Sequence, residues 1–317
     1  MSVIRISSVN KVLALDPEAI ESPIDWLKIY PFVGQHQGLF MAAFPRNWAH
    51  RFEMSSQRFE PSIWDFWNKE RIKNALVEFE RGNAFVRLGS PYDDQKSWYE
   101  NYSGVDLAQR KDVLAYTSRD EVSIQQSIEH LDPADLQVGT TWTGDLSPKA
   151  LVVLLRRYFR NSRKIALVDR NQSLVKEDGR ASVFADFLRL LIQEVYNSKC
   201  HEILVYTRYD EGRYPYMSSN KSLLAQLKAS LAGLKTPTYG VKYMCCSEIG
   251  ARRTDLHARR IVTNHVVFTL ADSIAGNTKS KMLTRVPDKA FREENLQAWI
   301  DEEHGLEVVS DAVFVSE

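Results

Sequence analysis

From about residue 140 onward, short apolar runs alternate with amphipathic stretches, and this alternation limits the fold more than any other feature of the chain. Lys164–Asp169, Glu202–Thr207 and Tyr239–Cys245 are short and almost continuously apolar at their centres. Strands buried on two faces carry that pattern. Around them lie helical patterns over Ser147–Phe159, with Leu151, Leu154, Leu155 and Tyr158 on one face, over Ala181–Tyr196, and over Ser218–Leu231. Strands alternating with helices predict an α/β class, a mixed, largely parallel sheet with helices on both faces. Arg260–Thr263 and Val266–Leu270 follow one another closely, which predicts antiparallel additions at a sheet edge. Lys281–Val286 adds a short strand, Asp288–Glu303 a helix, and the tail Leu306–Val315 one or two closing strands.

The first 140 residues follow a looser grammar and predict an irregular α+β region. Val3–Ile6 and Val12–Leu15 are short strand patterns, and Gly38–Phe44 is long enough for a buried strand. In Ser62–Gly82 the apolar residues Ile63, Phe66, Trp67, Ile72, Leu76 and Phe79 recur at helical spacings, with Gly82 as the stop. Gly89–Arg110 is dense in turn formers, which predicts a long surface loop exposing Trp98, Tyr99 and Tyr102 to a partner. The aromatics Trp48, Phe52, Phe59, Trp64, Phe66 and Trp67 suit a core or a protein-docking face, with stacking on single-stranded bases as the alternative. Pro133, Gly139 and Gly144 put the boundary between residues 132 and 146, dividing the chain into 1–140 and 141–317.

Composition narrows the function by exclusion. Forty-one Lys and Arg balance forty-one Asp and Glu, so a general polycation is excluded while a local basic patch is not. The three cysteines, Cys200, Cys245 and Cys246, are too few for a disulfide framework and show no C-x-x-C pair, so buried thiols are expected rather than a metal site. The N-terminus has no secretory h-region, and no apolar run approaches the ~20 residues of a membrane helix, which predicts a cytoplasmic protein with no transmembrane segment. Neither a Walker-type glycine–lysine loop nor Gly-x-Ser-x-Gly is present, so no nucleotide-hydrolysing or ordinary hydrolase motif is visible and no cofactor is expected.

The segment Arg252–Asn264 carries the most chemistry. His257 stands two residues before Arg259 at the start of an apolar strand pattern, and residues two apart on a strand share a face. Histidine supplies a nucleophile or proton carrier near neutral pH, and arginine clamps phosphate oxygens through a planar fork. Arg252, Arg253, Arg260, Lys279, Lys281 and Arg285 would surround that face with positive charge, or else form a solvated, salt-bridged surface. His265 suits a turn cap, and Asp169, at a strand's carboxyl end where such sheets place ligands, suits a helix N-cap or loop carboxylate, with a local ion pair to Arg170 expected ahead of a catalytic role.

His257, Arg259 and Asn264 stand in the register of histidine, lysine and aspartate in the phospholipase D superfamily, which this segment resembles. Ser273 and Asn277 stand where that family places small polar residues, and Trp142–Leu146 with the following helix and strand looks like the opening of one phospholipase D-like half. The resemblance implies a phospholipase D-like domain over about 140–317, with His257, Arg259 and Asn264 as catalytic positions. It also implies phosphate contacts from Arg252, Arg253, Arg259, Ser273, Asn277, Lys279 and Lys281. Members that cleave phosphodiesters use two histidines, so with one motif a complete site requires a dimer. Arginine replaces the lysine and asparagine removes the anion that supports an imidazolium, as in members that bind without turnover. The expectation is therefore a non-classical phospholipase D-like protein that binds phosphate-bearing partners, foremost nucleic acid, within a larger assembly. The alternatives are a dimeric phosphodiesterase or nuclease with His257 as nucleophile, and a structural protein-docking subunit.

Overall fold

The computed structural model describes residues 12–19, 40–56, 74, 77, 85–106, 113–116, 141–144, 147–247, 256–274, 281–286 and 288–316, and structural statements refer to these. Backbone packing divides the chain into two compact units, Met1–Gly139 and Thr140–Glu317.

In the first unit β1 (Val12–Leu15), β2 (Phe40–Ala42), β3 (Phe85–Val86) and β4 (Val113–Tyr116) form a sheet in the order β3-β2-β1-β4, every pair parallel. Every residue of β1 and β2 is buried, as a two-faced parallel sheet requires. Helix α1 (Trp48–Ser56) packs Trp48 and Phe52 into this core, their rings stacked at 5.3 Å, and the Trp48 indole N–H donates to the Leu15 carbonyl at 2.6 Å. These two aromatics are core residues, unavailable for base stacking. Phe59, Trp64, Phe66 and Trp67 and the strand expected at Val3–Ile6 lie outside the described residues.

The long loop expected over Gly89–Arg110 contains helix α2 (Trp98–Ser103). Ser97 and Glu100 form a reciprocal capping box, which lets so short a helix start amid turn formers. Asn101 binds the carbonyls of Asp93, Lys96 and Ser97 and so folds the preceding segment onto the helix. Trp98 and Tyr102 are buried, and the Trp98 N–H donates to the Phe44 carbonyl at 2.9 Å, so the exposed partner contact expected of them is corrected. Their spacing of four residues was the helical signal hidden by the surrounding polar residues.

The second unit is a mixed α/β fold around an eight-stranded sheet, ordered β12-β8-β7-β6-β9-β10-β11-β5. Its strands are β5 (Thr141–Gly144), β6 (Lys164–Val168), β7 (Glu202–Arg208), β8 (Val241–Cys246), β9 (Arg260–Thr263), β10 (Val267–Leu270), β11 (Lys281–Val286) and β12 (Val308–Phe314). β6, β7 and β8 are mutually parallel, and every other pairing is antiparallel. β9 and β10 were expected as an edge, yet they occupy the middle, joining the parallel half to β11 and β5. Their apolar residues gave the clue: Ile261, Val262, Val267 and Phe268 are wholly buried, which an edge seldom allows.

Helices α3 (Pro148–Asn161) and α4 (Val183–Val195) pack together on one side. Each is opened by a serine cap, Ser147 on Ala150 and Ser182 on Ala185. α4 buries Phe184, Phe187, Leu188, Leu191, Ile192 and Val195, each stabilising by roughly 1.5–3 kcal/mol on an area basis. Glu194 ties the pair through ion pairs of its carboxylate with Arg156 at 3.0 Å and Arg160 at 2.8 Å. α5 (Asn220–Ser230) lies against β12, and α6 (Lys289–Asn295) continues as a π-helical turn over Leu296–Ile300. That last segment seals the other side, where Trp299 and Ile300 meet Ala166, Val168, Leu204 and Tyr206. Among the described residues no helix is long and apolar enough to cross a membrane.

Candidate functional site

The carboxyl ends of β6 and β7 open into two loops, 169–182 leading to α4 and 209–219 leading to α5. In open α/β sheets ligands bind in that crevice. Here the two loops enclose a cavity of about 620 Å³, within the range of small-molecule sites. Its walls carry four cationic side chains, Arg170, Lys176, Arg208 and Arg213, against three carboxylates, Glu177, Asp178 and Asp210. Arg208 pairs with Asp210 at 2.8 Å and Arg213 with Glu177 at 2.5 Å, while Asp178 pairs with Arg180. The Glu177 hydrogen bond holds the Arg213 guanidinium above its ordinary pKa. Ser182 and Val183 bring the start of α4 to the wall, where helix geometry favours an anion.

Arg170 stands apart from these pairs. It makes no ion pair with a carboxylate among the described residues, and its Nε is buried without a partner. Its Nη1 lies 2.5 Å from Nε2 and 3.1 Å from Nδ1 of His257. The backbone fixes this meeting, since the Arg170 N–H donates to the Leu256 carbonyl at 3.1 Å.

Asp169, the wholly buried residue before it, is the loop carboxylate that the sequence allowed, but the local ion pair expected with Arg170 is not formed among the described residues, the Arg170 side chain turning to His257 instead. The Asp169 Oδ2 accepts from the Ser273 hydroxyl at 2.5 Å and the Ile274 N–H at 3.1 Å, and its Oδ1 accepts from the Asn171 N–H at 3.0 Å. The carboxylate thereby pins the segment after β10 to the β6 loop and brings Ser273 to the cavity wall.

The expected triad is not assembled. His257 is an exposed residue of a short 3-10 turn, Leu256–Ala258, that precedes β9, so the shared strand face with Arg259 does not exist. Arg259 itself has a φ of 36°, a left-handed backbone that ends the turn and swings its side chain onto the Ala271 carbonyl. β6 and β9 run antiparallel with Val168 opposite Arg260 and Ile165 opposite Thr263. His257 therefore lies at the Asp169 end of β6, while Asn264 lies at the other end, at least ~13 Å of strand away. There the Asn264 side-chain oxygen accepts from the Arg163 and Lys164 N–H groups at 2.7 and 3.1 Å. His265 is buried in the same turn, its N–H donating to Thr263.

Among the described residues the expected basic surface is dispersed as well. Arg260 donates to Asn295 at 2.8 Å and lies over the Phe291 ring, and Arg285 is buried, which pulls its guanidinium below the ordinary value. Lys281 begins β11 opposite Gly144. Arg252, Arg253, Asn277 and Lys279 lie outside the described residues. Of the expected site residues the structure thus brings His257 and Ser273 to the Asp169 end of β6. It adds Arg170, which the sequence offered only as an ion-pair partner of Asp169, and Gln172 and Arg213, which sequence reasoning missed. The available signal was position: the residues immediately after β6 and β7 in a parallel sheet.

Among the described residues no cluster of three or more His, Cys, Asp or Glu side chains is placed to hold a metal. No family model matches the chain, and no curated protein does. Among solved structures the chain is similar to TrmBL2, an archaeal chromatin protein whose structure shows a novel mode of DNA binding. The two share 11% identity over 84% of this chain and 71% of that chain, with a TM-score of 0.28. A likeness at that level carries no argument about the chemistry of the cavity, which rests on its own residues.

Proposed function

We propose that the C-terminal unit is a phospholipase D-like domain of the binding rather than the hydrolytic kind. It takes the phosphate of a phosphate-bearing partner, foremost nucleic acid, at the carboxyl end of β6 and β7. The observation that carries this reading is Arg170, a cavity arginine whose buried Nε has no partner and whose charge meets no carboxylate among the described residues. A guanidinium in that condition is ready for a phosphate, whose oxygens match its planar fork. The α4 start supplies further donors on the same wall. Separation of Asn264 from His257 supports binding over turnover, because no motif residue then stands behind the imidazole.

The test is titration of a 5′-phosphorylated single-stranded oligonucleotide, followed by fluorescence anisotropy. Arg170→Ala is expected to weaken binding by about 1–3 kcal/mol, the range for a lost charge-assisted hydrogen bond. Arg170→Lys recovers part of the loss, and affinity falls as salt rises through counterion release. Arg259→Ala leaves binding near wild type, since its side chain is engaged at Ala271. Wild-type protein that binds none of single-stranded DNA, duplex DNA, RNA or phosphate-bearing lipid vesicles would end this reading. Cleavage of any of them, lost in His257→Ala, would restore the phosphodiesterase alternative.

A further inference from the structure

We propose that Gln172 reads the base of a nucleoside phosphate whose phosphate rests on Arg170, an assignment that deepens the phosphate-binding reading and rests on it. Gln172 follows Arg170 by two residues, lines the cavity and is wholly buried. Its backbone is fully engaged: the N–H donates to the Thr207 hydroxyl at 3.2 Å, and the carbonyl accepts from the Tyr243 hydroxyl. Its carboxamide is not, for neither the side-chain oxygen nor the nitrogen has a hydrogen-bond partner among the described residues. Buried amides are almost always satisfied, so an orphaned pair beside a cavity is a site waiting for a ligand group. Because the carboxamide makes no hydrogen bond where it sits, turning it toward a ligand forfeits none.

The ligand class follows from the chemistry. A carboxamide offers an acceptor and a donor in one plane. The matching edge is an amino donor beside a ring-nitrogen acceptor, as adenine and cytosine carry. Val183, Tyr214 and Met217 supply apolar wall for a flat ring, and the volume suits a ligand of nucleotide size.

Calorimetric titration of the full chain with adenosine and cytidine 5′-monophosphates, ribose 5-phosphate and inorganic phosphate tests this. The nucleotides are expected to bind about tenfold more tightly than ribose 5-phosphate, the scale of one well-made neutral hydrogen-bond pair. Gln172→Met should remove that advantage and leave ribose 5-phosphate unchanged. Its ligand-free melting temperature should hold or rise, because an unsatisfied buried group has been removed. Equal binding of nucleotides and ribose 5-phosphate by the wild type would overturn the Gln172 assignment. So would a uniform loss across the ligands in Gln172→Met, or a lower melting temperature. In each case the phosphate reading survives if Arg170→Ala still weakens ribose 5-phosphate binding. Failure of the wild type to bind any of the phosphate compounds would overturn the phosphate reading, and the Gln172 assignment with it.

Discussion

Asp169 carries no solvent exposure, and its two oxygens share three donors, from Asn171, Ser273 and Ile274. A buried carboxylate is tolerated only under such conditions, because its desolvation must be offset by charge-assisted hydrogen bonds. Asp169→Asn keeps the shape but replaces one acceptor oxygen with a donor nitrogen facing a donor. The variant is expected to lose roughly 2 kcal/mol of stability in chemical denaturation. It should also lose cavity binding, since Ser273 is then no longer held to the wall. An unchanged denaturation midpoint would show that the carboxylate does not organise the site. At this scale the sequence named the right neighbourhood and the wrong partners. His257 was visible as a chemical group, but its partner Arg170 is 87 residues away along the chain. Only the antiparallel register of β6 and β9 makes them neighbours.

Elements in this chain were legible where their periodicity was long and clean, and α3, α4 and α5 lie within one or two residues of their predicted bounds. Short elements were not, since α2 depends on a capping box and on Trp98 and Tyr102 reaching a core the sequence does not display. The end of the sheet supplies a sharper test. Gly240 precedes β8 with a φ of +77°, and a Cβ built there would meet the Phe314 carbonyl oxygen of β12 at 2.1 Å. Gly240→Ala is disfavoured twice, by the left-handed backbone and by the contact with main chain. It is expected to cost about 2–4 kcal/mol and to loosen β12, read as faster amide exchange over Val308–Phe314. Protection equal to wild type in β12 would mean the contact is absorbed elsewhere.

Across the whole molecule the core sets the pH response of its thiols. Burial pushes Cys200, Cys245 and Cys246 up to about 12 from an ordinary 9.0. The unfolded thiols ionise near 9 while the folded ones stay protonated, so their contribution is complete below pH 9 and is lost as pH rises from there toward 12. Unfolding free energy is therefore expected to decline above pH 9, less steeply in Cys200→Ala. Maleimide at neutral pH should label the three thiols only in denaturant; labelling of native protein at the free-thiol rate would contradict the burial. The division at Gly139 and Thr140 predicts that a fragment of residues 140–317 folds by itself. A cooperative thermal transition checks this, and a fragment without one would show that the units need each other.

By itself the sequence determined the α/β class of the second unit, because apolar runs flanked by amphipathic helices have few stable arrangements other than a covered sheet. It also determined the identity of the helices that cover the sheet and the exclusion of a polycationic chain. Only the tertiary structure decided that β9 and β10 lie inside the sheet, that Asn264 and His257 fall at opposite ends of a strand, and that Arg170 and Gln172 face a cavity. The physical reason is range. Propensity, capping and periodicity act over a few neighbouring residues and are written locally. Register and pairing join residues scores apart, and a site made by two loops at a sheet's edge exists only once those pairings are complete.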